Sequence, residues 1–537
     1  MPPQSETGAQ PRPLFRLLAI PLTIDFMLLA LLFAAAASAI LLTFRDYGIS
    51  FDEQWHEIYG EYVIGWYTSL FRDRRATEYW TFKYYGGLFD MLANSVARFL
   101  PFDRFESRHL CNALFALIGV TAVCRMGKYL QGRRAGIMAA LFLLLIPRWY
   151  GHGFNNPKDI PFAALFAFGM YYLIRAVRAQ PRPEWRVVLK FAVAAGLCTG
   201  VRVGGIILVF FWGLIATLWA AEQIIRRRRD WWWAFVRAAG VRLAVIVVMA
   251  YSIMLLVWPA AQLDPLRFPL EAFRAFGHLP VGPVREFFEG GYVSTTDLPW
   301  YYLPKWLLIT LPEFVLVGLL FGCGLLIFRW QDIQASNRMR EYGLLALAAL
   351  FPIVYAIVTN AKLYDGMRHF LFIVPTIAVL AAVSWVGLIE LSGKLHWVVQ
   401  GALAIALVTT LHDMVELHPY QYVYFNRGIA GGLQNAARSY NTDYWGDSYR
   451  EGALWVSAHY DPRPGQRIRV TSCSYPFSTS HFLPKDRFAY VNLGRGAADL
   501  FLATTRNDCQ NTLAGRVVHI VKREDTPLLY IKELTPL

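Results

Sequence analysis

The chain contains few charged residues and few cysteines for its length. Of 537 residues, 17% are Asp, Glu, Lys or Arg and six are Cys, whereas 56% are hydrophobic and 15% are aromatic. Soluble domains carry about 25% charged residues, and a single soluble core does not bury this much apolar surface. The scarcity of charge therefore argues against a soluble protein and favours a membrane protein.

The sequence also lacks the common signatures of soluble enzymes. It has no Walker phosphate-binding loop, no GxSxG nucleophile motif and no HExxH zinc motif. No His, Cys and Asp residues occur together at metal-ligand spacing, so no cofactor is assigned, and a divalent metal stays an open alternative that the sequence does not support. These absences argue against a soluble nucleotide-driven enzyme.

Long apolar runs predict about eleven membrane spans, since one span needs about 20 mostly apolar residues. The predicted fold is mainly α, a polytopic membrane helix bundle. Aromatic residues spaced at about 3.6 in the first outer loop predict interfacial helices there. The spans are expected near residues 22–44, 108–124, 135–150, 160–175, 187–202, 203–225, 240–258, 303–328, 341–359, 370–391 and 396–412.

Basic residues predict the orientation of this bundle. A net charge of +14 on a soluble surface would favour nucleic acid, but here the densest clusters lie in short connections between apolar runs. No nucleic-acid partner is expected. Cytoplasmic loops are enriched in Lys and Arg, and a cytoplasmic N-terminus puts all four clusters on that side. The clusters are Arg125 with Lys128, Arg133 and Arg134; Arg175 to Lys190; Arg226 to Arg229; and Arg329 with Arg338 and Arg340.

The same topology predicts two domains of a multi-pass membrane protein whose N-terminus is cytoplasmic. A continuous helix through Arg202 would instead reverse the side of everything after it. Cys473 and Cys509 in the tail are the pair that could form a disulfide. The transmembrane domain is expected over 1–412, with outer loops 45–107, 148–160 and 259–302, and an extracytoplasmic α/β domain over 413–537, with a helix at 447–459 and strands at 468–471, 500–504, 517–522 and 528–533.

Three carboxylates on the predicted outer face are candidates for catalysis. Asp52 and Glu53 follow the first span, where neighbours and burial could tune a general base. Alternatively, Ser50 and Glu53 form a capping box that begins a helix, which is compatible with a catalytic Asp52. Asp159 is the second acidic candidate, and its alternative role is to cap the helix before Pro161.

Cations are scarce on the outer face, and as a set around these carboxylates they favour an anionic lipid substrate. Arginine offers a bidentate fork to phosphate. For any one cation, pairing with a lipid headgroup or a nearby carboxylate is the alternative. A lone loop histidine such as His152 more often forms hydrogen bonds than binds metal. The candidates for binding the donor phosphate or substrate are Lys83, Arg108, His152, Lys158, Arg202, Arg368 and His369.

Four segments of the sequence carry a family resemblance. They are Asp52-Glu53, residues 152–159 (HGFNNPKD), residues 364–369 (YDGMRH) and residues 418–426 (HPYQYVYFN). Through them the chain resembles the C-type polytopic membrane glycosyltransferases, specifically bacterial relatives of the protein O-mannosyltransferases and the lipid A aminoarabinose transferases. The resemblance covers most of residues 20–450.

This resemblance implies transfer of one sugar from a polyprenyl-phosphate carrier to a lipid, glycan or protein hydroxyl at the extracytoplasmic face of a bacterial inner membrane. Asp52 would be the base, assisted by Glu53 and Asp159, while the outer-face cations would hold the lipid phosphate. Lys83 and Arg108 resemble basic positions of the family. The aminoarabinose transferases tend to have prolines after that lysine, whereas this chain has Tyr84-Tyr85.

Two other functional classes remain open. A transporter or flippase of a lipid-linked sugar would also place charges near a membrane mouth, although paired halves, broken helices and ionisable residues at span centres are more typical of it. A binding or scaffold protein that uses the tail domain would tolerate loss of Asp52. Here most ionisable groups lie at the outer ends of the predicted spans, which favours the enzyme.

Overall fold

The computed structural model describes residues 24–225, 232–277, 284–328, 338–473 and 475–535. The predicted basic cluster Arg226 to Arg229 and Arg329 of the fourth cluster lie outside these residues. Within them the chain is mainly helical, as predicted, and ends in a small sheet domain.

The helices follow one another along nearly the whole transmembrane domain. They are α1 Ile24–Thr43, α2 Phe51–Thr68, α3 Arg75–Glu78, α4 Leu88–Ala97, α5 Arg104–Gln131, α6 Arg133–Leu144, α7 Pro147–Asn155, α8 Asp159–Arg178, α9 Trp185–Thr199, α10 Ile206–Ile225, α11 Trp232–Leu256, α12 Pro259–Leu263, α13 Phe268–Gly277, α14 Tyr302–Thr310, α15 Glu313–Phe328, α16 Met339–Val358, α17 Val374–Leu391 and α18 His396–Glu416. Short 3-10 helices lie at Trp80–Tyr84, Val203–Gly205, Arg368–Ile373, Gly393–Leu395 and Gln421–Val423.

Eight helices of the described residues are long and apolar enough to cross a membrane, or up to ten if each of two bent pairs counts as one span. The bent pairs are α6 with α7, at 64°, and α14 with α15, at 114°. The predicted spans 135–150 and 303–328 are therefore not straight helices. Pro147 and Pro312 lie at the two breaks. Proline lacks the N–H that would continue a helix, which accounts for the bends.

The remaining difference from the predicted eleven spans is α9, which has only 15 residues. It ends at Thr199, and α10 begins at Ile206, so the chain is broken around Arg202 as predicted. Helices α5, α8 and α17 are mostly buried, whereas α1, α11 and α18 are mostly exposed. Exposed apolar helices on the outside of a bundle suit contact with lipid tails.

The candidate site residues and the basic clusters can be located along two helices of the bundle, α5 and α8. Arg108 and Asp159 lie at the starts of α5 and α8, and Lys128 and Arg175 lie near the ends of the same helices. Because α5 and α8 both begin at the candidate site residues and end at basic clusters, these two groups lie at opposite ends of the bundle. One further contact at the basic end joins Arg178 Nε to Glu341 Oε1 at 2.9 Å.

The tail is a small α/β domain, as predicted. Its strands are β3 Ile468–Ser472, β4 Phe488–Tyr490, β5 Leu500–Thr504, β6 Arg516–Arg523 and β7 Thr526–Glu533, with helices α19 Arg427–Ala430, α20 Gly432–Ala436, α21 Ser448–His459 and α22 Pro476–Ser480 and a 3-10 turn at Arg506–Asn511. The strands form one sheet in the order β4-β3-β5-β7-β6, in which β3 pairs parallel with β4 and β5 and the other pairs are antiparallel. A separate hairpin of β1 Arg285–Phe288 and β2 Gly291–Ser294 lies in the connection before α14.

Sequence patterns located most of this domain. The four predicted strands match β3, β5, β6 and β7 to within two residues, and the predicted helix matches α21. Strand β4, only three residues long, was not predicted. Cys473 and Cys509, the pair that could form a disulfide, are bonded, and the bond links the end of β3 to the turn after β5.

Candidate active site

Helix α2 begins with the predicted capping box of Ser50 and Glu53. The Glu53 carboxylate accepts a hydrogen bond from the Ser50 backbone N–H at 2.7 Å. Its other oxygen lies 2.8 Å from Nε2 of His109 on α5. Glu53 is buried and occupied by these contacts, so it fixes the start of the helix that carries Asp52.

Asp52 belongs to a cluster of charged side chains that come from four separate segments of the chain. Its Oδ2 atom lies 2.5 Å from Lys158 Nζ and 3.8 Å from Arg368 Nη1. The same Arg368 nitrogen lies 3.7 Å from Asp159 Oδ2, and Arg202 Nη1 pairs with Asp159 Oδ1. These five residues, Asp52, Lys158, Asp159, Arg202 and Arg368, are called the central cluster below. All five were predicted as site residues.

Asn156 orders the segment that carries Lys158 and Asp159. Its side-chain oxygen accepts from the Asp159 N–H at 3.0 Å, and its Nδ2 donates to Asp159 Oδ2 at 3.0 Å. Asp159 is the first residue of α8 and Lys158 occupies the N-cap position, so Asp159 does not take the capping position that was its alternative role. The Asp159 carboxylate is left to pair with the arginines.

Arg202 reaches the cluster because the chain breaks between α9 and α10. At this break Gly86 donates its N–H to the Val201 carbonyl at 3.2 Å. A Cβ on Gly86 would lie 1.9 Å from the Gly200 carbonyl oxygen, so only glycine permits this approach. Tyr85 precedes Gly86 and therefore lies close to the cluster. Its ring centroid is 5.7 Å from both Lys158 Nζ and Arg202 Cζ.

A tight turn before α17 presents Arg368. Asp365 and Gly366 have φ values of 58° and 69°, in the left-handed region. Asp365 Oδ2 accepts from Arg368 Nε at 3.0 Å, and the guanidinium lies 4.8 Å from the Tyr364 ring and 5.0 Å from the Trp445 ring of the tail. Next to it, His369 packs edge-on against Tyr364.

The cluster controls the charge state of Asp52. Burial alone would raise the pKa of Asp52, but Lys158 and Arg368 outweigh burial and hold its pKa well below the usual range. Burial alone would lower the pKa of Lys158, whereas Asp52 raises it and the net pKa lies above the usual value. Asp52 keeps 13% of its side chain exposed against 2% for Asp159, so Asp52 is the accessible carboxylate.

The tail and the hairpin before α14 contribute further residues to the site, and the sequence did not predict them. Arg506 Nη2 lies 2.6 Å from Asp365 Oδ1, and Glu286 Oε1 accepts from the Asp365 N–H at 2.8 Å. Burial and the charge of Asp365 raise the pKa of Glu286 to about 7. Trp445, Arg506 and Glu286 are far from Arg368 in sequence, and no local pattern marks them.

Five of the predicted site residues lie outside the central cluster. One of them, His369, packs against Tyr364 beside Arg368, as described above. Of the other four, the first is Glu53, also described above. Arg108 pairs with Asp90 at 2.7 Å, and Asp90 also contacts His56 Nδ1 at 2.8 Å. His152 Nε2 lies 2.9 Å from the Tyr444 hydroxyl.

The fourth, Lys83, is partly exposed and lies over the Tyr84 ring at 5.1 Å. In the part of the chain that the structure describes, no group of three or more His, Cys, Asp or Glu side chains is placed to hold a metal ion.

Comparisons with known proteins agree with this architecture. Residues 100–212 match the profile of the family described as dolichyl-phosphate-mannose-protein mannosyltransferase. The solved structure of ArnT from Cupriavidus metallidurans in the apo state aligns with a TM-score of 0.54 at 12% identity, covering 95% of this chain and 98% of ArnT.

Two further structures align more loosely. ArnT from the same organism bound to undecaprenyl phosphate gives a TM-score of 0.49 at 12% identity, covering 94% of this chain and 97% of that one. The Archaeoglobus fulgidus oligosaccharyltransferase in the apo form gives 0.47 at 10% identity, covering 86% and 63%. A comparison with curated protein sequences gave no match. The chain is thus a polytopic membrane protein with the C-type glycosyltransferase fold, and its residues 100–212 match the dolichyl-phosphate-mannose-protein mannosyltransferase family.

Proposed function

We propose that this protein transfers a sugar from a polyprenyl-phosphate carrier to the hydroxyl group of a lipid, glycan or protein acceptor. The observation that carries the proposal is the central cluster, in which one accessible carboxylate lies among three cations at the end of a membrane bundle. The fold and the family match support the reaction class.

The cations suit a donor whose leaving group is a phosphate. When the bond between the anomeric carbon and the phosphate oxygen breaks, the electron pair stays on that oxygen and the lipid phosphate gains negative charge. Lys158, Arg202 and Arg368 would hold this phosphate and stabilise the developing charge. They are already ordered by Asp52 and Asp159, which reduces the reorganisation needed during the reaction.

Asp52 would act on the acceptor. Its depressed pKa keeps it ionised at neutral pH, so it accepts a hydrogen bond from an incoming hydroxyl. Once the donor phosphate attracts Lys158 and Arg368, Asp52 loses part of the field that lowers its pKa and becomes a stronger base. The acceptor oxygen then forms its bond to the anomeric carbon and its proton passes to Asp52. A single displacement of this kind inverts the anomeric centre.

The other predicted residues take supporting roles in this proposal. Glu53 holds the start of α2, and Asp159 orients Arg202 and Arg368. His152 and Arg108 hold neighbouring segments through Tyr444 and Asp90. His369 positions Tyr364 beside Arg368, and Lys83 is available to a donor entering past Tyr84.

The site is proposed to face the extracytoplasmic side of a bacterial inner membrane, with the N-terminus in the cytoplasm. Two independent features support this orientation. The described basic clusters lie at the opposite end of the bundle from the central cluster. The disulfide Cys473–Cys509 lies in the tail on the side of the site, and disulfides persist in oxidising compartments.

A transporter or flippase for a lipid-linked sugar is the second candidate function. The two bent helix pairs favour it, because broken helices frame the sites of many transporters. Against it, the central cluster lies where α2, α8 and α17 begin and not at the centres of spans. Transport and transfer differ in their products, which makes them separable in one experiment.

The test is to incubate purified protein with radiolabelled polyprenyl-phosphate sugars and membrane extract, and to compare wild type with Asp52→Asn. We expect wild type to move label from the carrier to an acceptor, and the variant to do so about 100-fold more slowly, as for loss of a general base. Equal transfer by both proteins, or none by either across a broad donor set, contradicts the proposal. Flipping of intact donor in liposomes without transfer would support the transporter.

A further inference from the structure

The tail domain contributes one arginine to the surroundings of the central cluster. Arg506 follows β5, and its Nη2 atom lies 2.6 Å from Asp365 Oδ1. Its other terminal nitrogen, Nη1, donates to the Tyr475 hydroxyl at 3.0 Å and to the Tyr444 carbonyl. The guanidinium is mostly buried and each of its terminal nitrogens has a partner.

Arg506 and Arg368 share the Asp365 carboxylate. Oδ1 of Asp365 faces Arg506, and Oδ2 accepts from Arg368 Nε at 3.0 Å. The far nitrogen of Arg368, Nη1, lies within 4 Å of Asp52 and Asp159 and has no hydrogen-bond partner among the described residues. Asp365 therefore binds the Nε and Nη2 atoms of Arg368, while the Nη1 atom of Arg368 faces the carboxylates of Asp52 and Asp159.

Asp365 is buried, and without Arg506 its carboxylate would be left with Arg368 as its cation. Glu286 is a neighbouring carboxyl group, and its Oε1 atom accepts from the Asp365 backbone N–H at 2.8 Å. A buried carboxylate beside another carboxyl group and with a single cation is unfavourable, and it would shift to improve its pairing. Such a shift moves Arg368, because Asp365 makes two contacts with it at 3.0 Å.

The disulfide fastens both chain segments that meet at Arg506. Cys509 lies three residues after Arg506, and Cys473 lies two residues before Tyr475. Tyr475 accepts from Arg506 and donates its own hydroxyl to the Tyr444 carbonyl at 3.2 Å. The covalent link therefore joins the turn that carries Arg506 to the segment that carries its partner Tyr475.

We propose that Arg506 is a positioning residue supplied by the tail domain, which sets Arg368 through Asp365 and is itself held in place by the Cys473–Cys509 disulfide. The inference rests on the proposed function, because Arg368 is taken to bind the donor phosphate. It gives the tail domain a role in the reaction, and it makes the reaction sensitive to reduction of one disulfide.

The experiment measures sugar transfer and the dissociation constant for a polyprenyl phosphate in detergent. The proteins are wild type, Arg506→Ala, Arg506→Lys, Arg368→Lys and the double variant of Arg506→Ala with Arg368→Lys. The matched control is Arg516→Ala, which removes an exposed tail arginine paired with Glu533. Thermal unfolding midpoints check that each protein is folded.

We expect Arg506→Ala to weaken phosphate binding and lower kcat by about tenfold each, a coupling typical of a residue that acts through another. Arg506→Lys should recover part of both, since it restores the cation beside Asp365. The losses from Arg506→Ala and Arg368→Lys should not multiply in the double variant, because both act through Arg368. A purely structural role would give losses that multiply.

Reduction separates the contribution of the disulfide. A thiol reductant should lower the kcat and phosphate affinity of wild type by a similar factor, and the Cys473→Ser, Cys509→Ser double variant should match the reduced protein. Arg506→Ala should show little further loss on reduction, because its positioning contact is already gone. The Arg516→Ala control should respond as wild type does.

The results that overturn the inference are distinct from those that overturn the proposed function. Unchanged phosphate affinity in Arg506→Ala, or losses that multiply with Arg368→Lys, overturns the role of Arg506. Unchanged affinity on reduction overturns the role of the disulfide. If wild type transfers no sugar but the binding losses still fail to multiply, the transferase proposal fails while the positioning role stands.

Discussion

The Lys158 ammonium group lies 2.5 Å from the carboxylate of Asp52, which is 106 residues earlier in the chain. The pair joins the start of α2 to the segment before α8. It keeps both side chains charged and ordered before any substrate arrives. Such a pair has to open for the reaction, because the donor phosphate and Asp52 compete for the same lysine.

Replacement of Lys158 by methionine should separate its two effects. The KM for the donor should rise by about tenfold or more, since a hydrogen bond to a charged group contributes about 1.5–3 kcal/mol. The pKa of Asp52 should rise, because Lys158 is the charge that lowers it most. The measurement is a pH profile of kcat/KM for both proteins.

The sign of the pH effect follows from the depressed pKa of Asp52. In wild type the ionised form persists well below the ordinary pKa of about 3.9, so the acid limb lies at very low pH. In the Lys158 variant the limb moves to higher pH. An acid limb that does not move would contradict the assignment of Asp52. Lys190→Met, at the opposite end of the bundle, is the control.

Glu286→Gln should make stability less dependent on pH. Because the pKa of Glu286 is raised from its ordinary 4.5 to about 7, the folded protein holds a proton that the unfolded chain releases. The stability of wild type should therefore fall as pH rises from about 4.5 to 7. The variant should avoid this loss and be more stable at pH 8, by on the order of 2 kcal/mol.

Thermal unfolding midpoints between pH 5 and pH 8 would test this. The glutamine oxygen can still accept from the Asp365 N–H, so the hydrogen bond is kept while the charge is removed. Glu289→Gln on the same hairpin is the control, since that side chain is 38% exposed and pairs with Lys305. Parallel pH curves for wild type and Glu286→Gln would be evidence against a protonated Glu286.

Arg108→Met should destabilise the protein and not act mainly on the donor. The change leaves the buried Asp90 with only His56 as partner, and breaking a buried ion pair costs about 3–5 kcal/mol. Combining it with Asp90→Asn should recover part of the stability. Unfolding midpoints and donor KM should be measured together. A tenfold rise in KM at unchanged stability would instead make Arg108 a phosphate ligand.

The orientation of the bundle can be checked with single cysteines in a protein whose exposed Cys323 is replaced by Ser. A cysteine at Asp461, which is 90% exposed in the tail, should react with a membrane-impermeant maleimide in intact spheroplasts. A cysteine at Arg186, exposed at the start of α9, should react only after permeabilisation. The reverse pattern would move the central cluster to the cytoplasmic side.

Local sequence patterns were sufficient for the parts of the molecule governed by neighbouring residues. Apolar run lengths predicted the membrane helices, and alternation predicted four of the five strands in the tail sheet. The capping box at Ser50 and Glu53 is present because its partners are three residues apart. The bends of α6 with α7 and of α14 with α15 were missed, although prolines lie at both breaks.

The sequence by itself determined the fold class and the break near Arg202, and its candidate site residues included the five that meet in the central cluster. Only the tertiary structure decided which cations lie near Asp52. Lys158 and Arg368 lie within 4 Å of its carboxylate, whereas Arg108 pairs with Asp90. It also joined Arg506 of the tail to Asp365 before α17, 141 residues earlier in the chain. The physical reason is that ion pairing depends on separation in space, and packing of distant segments sets that separation without leaving a periodic pattern in the chain.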